Sequence, residues 1–229
     1  MSGARDVPRL DLARVRALCF DVDGTLSDTD NAYVAALARL MPDAVPFDRR
    51  RTARRFVMSL QGPVTSALSL ADRLGLYEGV VQAFDWRYRH RGAPLGRQRL
   101  LPGVHELLAG LHGRFPMAVV SARDRKGTER FLRESDLLRY FDVVVTARSA
   151  RRTKPFPDPI LLAADAMGVE PDECLMIGDT TVDIRAAVGA GAQSVGVLCG
   201  FGRERALRRM GATAIVHETS DLAVLLATT

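Results

Sequence analysis

Leu18-Cys19-Phe20-Asp21-Val22-Asp23-Gly24-Thr25-Leu26 decides how the rest of the chain is read. The apolar run 17–20 has the length and texture of a short buried strand. Two carboxylates, Asp21 and Asp23, follow it with one residue between them, and Gly24 then lets the backbone leave extended geometry. In strand geometry both acids point to the same side. Like charges that close call for a cation between them or for a proton on one of them. A hard divalent cation such as Mg2+ meets that need with oxygen ligands. A carboxylate held beside such an ion is a usable nucleophile toward phosphorus. As a bare pattern, D-x-D-G is also an ordinary turn, so the flanking chain has to decide.

Beyond residue 101 short apolar runs alternate with helical periodicity. Strands are predicted at 116–120, 143–145, 174–177, 194–198 and 214–216, and helices at 103–112, 125–134, 157–167, 183–190 and 221–226. Such alternation defines an α/β protein whose parallel sheet is covered on both faces, an α/β/α three-layer core. Sites in open sheets of this kind form beyond the carboxyl ends of the strands. Asp21, Ser121 and Asp179 each stand at or just past the end of an apolar run, which places three oxygen-bearing side chains on one edge.

Residues 30–94 have a different texture. Apolar positions recur at helical spacing (Tyr33, Val34, Leu37, Leu40; Phe56, Val57, Leu60; Val64, Ala67, Leu68, Ala71), without a period-two strand. About four helices are expected, as an insert into a core made of 1–29 and 95–229, with Gly92-Ala93-Pro94-Leu95-Gly96 as the return hinge.

Bulk properties narrow the class. The chain has 229 residues, 47% hydrophobic and 26% charged, an ordinary globular composition. No apolar run approaches the ~20 residues of a membrane-spanning helix, and residues 1–14 lack the apolar stretch of a secretory signal. Cys19, Cys174 and Cys199 are widely spaced beside apolar runs, which reads as reduced core thiols and a cytoplasmic location. The net charge of +5 raises nucleic acid as a partner. The excess is almost wholly arginine, since the only lysines are Lys126 and Lys154.

Three further pieces carry chemistry. Ser121 ends a buried strand just before a helix at Arg125, where its hydroxyl and neighbouring N–H groups suit phosphate oxygens, or a simple turn. Lys154 lies in Thr153-Lys154-Pro155-Phe156-Pro157-Asp158-Pro159, a loop stiffened by proline. Its ammonium can screen a nucleophilic carboxylate from an incoming dianion. In Gly178-Asp179-Thr180-Thr181-Val182-Asp183, two acids four residues apart can face one ion, although acids at a helix start are also favoured by the helix dipole.

Asp21-Val22-Asp23-Gly24-Thr25-Leu26, Ser121, Lys154-Pro155-Phe156-Pro157-Asp158-Pro159 and Gly178-Asp179-x-x-x-Asp183 occur in the order of the four signatures of the haloacid dehalogenase superfamily, which the chain resembles in its phosphatase branch. The resemblance implies a Rossmann-like core and an inserted all-helical cap of the C1 type. It implies Asp21 as nucleophile forming an aspartyl-phosphate, Asp23 as proton shuttle, and Lys154 beside them. Mg2+ would be held by Asp21, Asp179, Asp183 and the carbonyl of Asp23. Phosphate would be held by Thr25, Ser121, Ala122 and Lys154. Ala122-Arg123 departs from the commoner Asn or Lys after Ser121, which leaves the part played by these two residues open. The C-terminal segment resembles the phosphoglycolate phosphatase group, so the expected substrate is a small phosphorylated metabolite.

Other uses of the same signatures separate on single residues. Dehalogenases of the superfamily lack the second acid, and phosphonate hydrolysis needs a cap lysine, absent between Asp30 and Leu100. A phosphomutase keeps every signature and stays open. A nucleic-acid-binding or scaffold role would run through Arg49-Arg50-Arg51-Thr52-Ala53-Arg54-Arg55, which has no aromatic residue for base stacking and reads first as a solvated helix face. His90, His105, His112 and His217 show no ligand spacing, and Trp86 and Tyr88 read as packing residues.

Overall fold

The computed structural model describes residues 10–29 and 99–227. The chain divides into two compact units, Met1–Thr29 with Arg99–Thr229, and Asp30–Gln98. All described residues belong to the first. The helices expected over 30–94, the hinge at 92–96, the arginine run at 49–55, Trp86, Tyr88 and His90 lie outside the described residues.

Six strands form one sheet: β1 (Ala17–Phe20), β2 (Met117–Val120), β3 (Val143–Val145), β4 (Cys174–Gly178), β5 (Gln193–Val197) and β6 (Ala214–Val216). Their order is β3-β2-β1-β4-β5-β6 and every pairing is parallel. The helices between them are α1 (Val104–Leu111), α2 (Arg125–Glu134), α3 (Asp158–Met167), α4 (Thr181–Ala190), α5 (Glu204–Met210) and α6 (Leu222–Leu225). The fold is thus the parallel α/β core expected, with each strand within a residue of its predicted bounds.

Alternation along the strands explains the two layers of core. Leu18 and Phe20 of β1 pack on one side with Met117, Val119, Leu175 and Ile177, under Val104, Leu108 and Leu111 of α1 and Leu222 of α6. Ala17 and Cys19 point to the other side, among Ala118, Val120, Cys174, Met176 and the alanines Ala163, Ala164, Ala186 and Ala187 of α3 and α4. Large side chains fill the first layer; small ones let two helices lie close to the second. Full burial of a side chain of the size of Leu18 or Phe20 contributes about 1.5–3 kcal/mol.

One helix has no counterpart among the predicted elements. In α5 only Leu207 is buried, against Ile184 and Ala212, and most of the rest is exposed arginine, glutamate and methionine. An apolar stripe of one residue gives no periodicity to read.

The strand order places a site. From β1 the chain builds outward through β2 and β3, then returns to the far side of β1 to add β4, β5 and β6. The order reverses between β1 and β4, the point where open sheets leave a crevice at their carboxyl edge. Asp21 N donates to Ile177 O at 2.9 Å, so Asp21 leaves β1 beside Gly178, and Asp179 follows on β4. On the other flank Ser121 N donates to Val145 O at 2.9 Å, seating Ser121 at the end of β2.

After β1 the chain closes a tight loop, with Leu26 N and Ser27 N both donating to Val22 O and Gly24 at φ 75°. Ser27 then bridges Leu100 in antiparallel fashion. Asp28 N donates to Arg99 O at 2.8 Å and Leu101 N to Leu26 O at 3.0 Å. The strand leaving the core and the strand returning to it are therefore hydrogen-bonded neighbours.

Candidate active site

Asp21, Asp179 and Asp183 are buried, and one carboxylate oxygen of each lies within 4.8 Å of the others. Lys154 is buried with them. Its Nζ donates to Asp21 Oδ1 at 2.7 Å and to Asp183 Oδ1 at 2.6 Å. The loop after β3, the start of α4 and the ends of β1 and β4 thus deliver four charged groups to one place.

The electrostatics follow from that burial. Loss of water pushes the Asp21 carboxyl up from 3.8 to about 7. The Lys154 ammonium opposes the rise, while the charges of Asp183 and Asp23 add to it. Burial alone would lower the Lys154 ammonium, but Asp183 and Asp21 together outweigh it and hold it above its ordinary value. Three carboxylates against one ammonium leave the cluster short of positive charge. Hard oxygen donors in a buried, negatively charged pocket fit a divalent cation of the Mg2+ kind.

Each acid is placed by local structure. Asp183 is the third residue of α4, and its Oδ2 accepts from Thr180 N at 3.0 Å and from Thr180 Oγ1 at 2.6 Å, a capping box. It is thus the helix-start acid and the partner of Lys154 together, the second a contact that the sequence reading did not include. Asp179 Oδ2 accepts from Phe201 N at 2.8 Å. A Cβ at Gly200 would fall onto the Asp179 carboxylate, and one at Gly178 onto Asp183. Backbone without side chains is what lets the loop after β5 and the end of β4 wrap these acids closely.

Asp23 stands apart from this cluster. Strand geometry would put Asp21 and Asp23 on one side, with a cation between them or a proton on one; β1 ends at Phe20, before both acids, and each meets a cationic side chain of its own. Asp21 meets Lys154. Asp23 meets Arg123, whose Nε donates to Asp23 Oδ2 at 2.5 Å and whose Nη2 contacts Oδ1 more closely still. Thr29 Oγ1 also donates to Asp23 Oδ1, at 2.6 Å.

The other predicted residues are placed as follows. Ser121 is buried, and its Oγ accepts from Arg123 N at 3.1 Å, a local turn bond; the cap of α2 is Asp124. Ala122 is exposed beside it. Thr25 is fully buried, and its carbonyl accepts from Thr219 Oγ1 at 2.6 Å. Beyond the sequence reading are Thr29, the loop Cys199-Gly200-Phe201-Gly202 and the part played by Arg123, which the sequence leaves open. The paired glycines at the end of a strand were the available signal for the loop.

Residues 18–197 match the haloacid dehalogenase-like hydrolase family. The chain belongs to that family. It is similar to the "Probable phosphatase IndB" of Dickeya dadantii, 30% identical over 206 residues, covering 89% of this chain and 90% of that protein. The phosphoglycolate phosphatase of Escherichia coli is 27% identical over 234 residues, covering 91% of each chain. Among solved structures, a "putative beta-phosphoglucomutase" of Thermotoga maritima superposes with a TM-score of 0.68 at 25% identity, covering 94% of this chain and all of the other. As a haloacid dehalogenase-like hydrolase with these relatives, the chain is a phosphatase. Among its described residues no helix is long and apolar enough to cross a membrane.

Proposed function

We propose that this phosphatase hydrolyses a small phosphorylated metabolite, a phosphoglycolate-like monoester, with Mg2+ and through an aspartyl-phosphate on Asp21. The observation that carries the reading is the convergence of Asp21, Asp179 and Asp183 on Lys154 at the reversal point of the sheet. Asp21 and Asp179, with Asp183 alongside and the carbonyl of Asp23, are the groups that would hold the ion. Once bound, the ion offsets the negative charge that gathers between a carboxylate nucleophile and a phosphate dianion.

The chain's own groups divide the work. Lys154 keeps Asp21 turned toward the cluster and lowers the repulsion that an arriving dianion meets. Ser121, Ala122 and Thr25 would hold the phosphate oxygens. An oxygen of Asp21 bonds to phosphorus as the ester P–O bond breaks, and Asp23 gives a proton to the departing alcohol oxygen. Water then attacks phosphorus, its proton passes to Asp23, and the Asp21–phosphorus bond breaks to return the carboxylate.

Residues 30–94 would form the helical cap that the superfamily resemblance implies, and closure of such a cap would restrict the substrate to small molecules. The free thiols of Cys19, Cys174 and Cys199 support a reducing, cytoplasmic setting. Transfer to a second hydroxyl, a phosphomutase activity, is the other reading, favoured by the likeness to the Thermotoga protein. A panel of phosphorylated metabolites with Mg2+, run beside Asp21→Asn, tests both. Inorganic phosphate released by the wild type and not by the variant is expected; full turnover by Asp21→Asn overturns the nucleophile. In a single turnover, phosphoryl recovered on a second hydroxyl would favour the mutase.

A further inference from the structure

Asp23 has little of its own to hold it still. It lies past the end of β1 in the loop that turns at Gly24, and its side chain is 37% exposed. A proton donor must nevertheless stand within hydrogen-bond reach of the reacting oxygen, in a fixed orientation. Arg123 supplies the missing constraint. Its Nε donates to Asp23 Oδ2 and its Nη2 to Oδ1, a two-pronged contact that fixes the plane of the carboxylate. Thr29 Oγ1 takes a further position on Oδ1, and Arg123 Nη2 lies 3.3 Å from the same hydroxyl.

A carboxylate offers about four lone-pair positions. Arg123 and Thr29 use two on Oδ1 and one on Oδ2, which leaves a single position, on Oδ2, to carry a proton. The guanidinium is itself well anchored. It lies 5.6 Å above the Phe131 ring of α2, its backbone N donates to Ser121 Oγ, and its carbonyl accepts from Ala147 N at 3.0 Å. The ends of β2 and β3 thus reach across to the loop after β1 through one side chain. The exposed pair of Arg130 with Glu134, by contrast, joins neighbouring turns of α2.

We propose that Arg123 is a positioning residue for the reaction: its forked contact orients the Asp23 carboxylate so that its one remaining acceptor position faces the proton transfers to the leaving group and from water. The inference rests on the assignment of Asp23 as proton shuttle made above. Lysine could neutralise Asp23 but could not fix the plane of its carboxylate, because it presents a point charge in place of a rigid fork.

The test uses the full chain with Mg2+ and two substrates, an alkyl phosphate and p-nitrophenyl phosphate, whose leaving group needs little protonation. Arg123→Gln should lower kcat for the alkyl phosphate by roughly 100-fold, with KM and the Kd for Mg2+ within about twofold of wild type. With p-nitrophenyl phosphate, quenched-flow should show a burst of nitrophenolate followed by slow turnover, since only the second half-reaction then needs Asp23. Arg123→Lys should recover part of kcat and keep a smaller burst. In a double-mutant cycle, Arg123→Gln combined with Asp23→Asn should be no slower than Asp23→Asn alone. Equal slowing of both substrates without a burst, or fully multiplicative effects in the cycle, would overturn the proposal. Should the glutamine variant fail to fold by thermal melting, the lysine variant decides by the same two criteria. Unchanged kcat in Asp23→Asn would instead refute the shuttle assignment itself, a separate outcome.

Discussion

Lys154 Nζ stands between Asp21 and Asp183, 2.7 Å from one carboxylate oxygen and 2.6 Å from the other, with all three side chains buried. Coulomb attraction here offsets the loss of water from three charges, and removing the central one leaves two facing carboxylates uncompensated. Lys154→Met should therefore lose about 3–5 kcal/mol of stability in urea unfolding without metal. Mg2+ should restore much of the stability and little of the turnover. If stability were unchanged in the metal-free variant, the pair would not be holding the site together.

The raised Asp21 carboxyl gives metal-free protein a pH dependence of known sign. Its folded value, about 7, lies above its ordinary 3.8, so the folded state binds the proton more tightly than the unfolded one. This group's contribution is fully present below the ordinary value and is lost as pH rises toward 7, an effect on the order of a few kcal/mol. Chemical denaturation with EDTA at a series of pH values should show that loss. Mg2+ should stabilise the protein more at pH 8 than at pH 5. A metal-free profile rising over that interval, or lacking any difference from Asp21→Asn, would refute it.

Gly200 makes a different claim testable, because an added Cβ would coincide with the Asp179 carboxylate. Gly200→Ala should weaken Mg2+ binding roughly 10–100-fold, as loss of outer support does at metal sites. Isothermal titration calorimetry measures it, with circular dichroism as the check on folding. Wild-type affinity in a folded variant would show that the loop can move away freely.

Thr180 joins helix stability to the site through Asp183. Thr180→Ala removes the 2.6 Å hydroxyl bond while keeping the backbone one. The cost should be about 1 kcal/mol, the usual worth of an N-terminal cap. A loss much below that in urea unfolding would mean that Lys154 and the Thr180 N–H hold Asp183 without help from the hydroxyl.

How far the sequence could be read follows from where its signals are local. Every strand was visible because each is an apolar run with turn residues at both ends, and the acids at those ends were visible for the same reason. Asp183 was legible as an acid one turn into a helix, but its double duty to Thr180 and Lys154 needed the fold, since Lys154 is far off in sequence. Arg123 was noticed only as a departure from the commoner residue. Its partner Asp23 is on another strand's loop, and no spacing rule links the two. Helix α5 left no trace because a single buried leucine carries its packing. Long-range pairings and thinly buried helices share one cause: their stabilising contact is made with a segment that is remote in the chain.

The antiparallel contact between Ser27 and Leu100 has an engineering consequence. Because Asp28 and Arg99 are already hydrogen-bonded, a short reverse turn can splice the two sides and delete 30–98 as a cassette. The six parallel strands should keep their register after such a deletion, and the shortened chain would present Asp21, Asp179, Asp183 and Lys154 on a minimal scaffold.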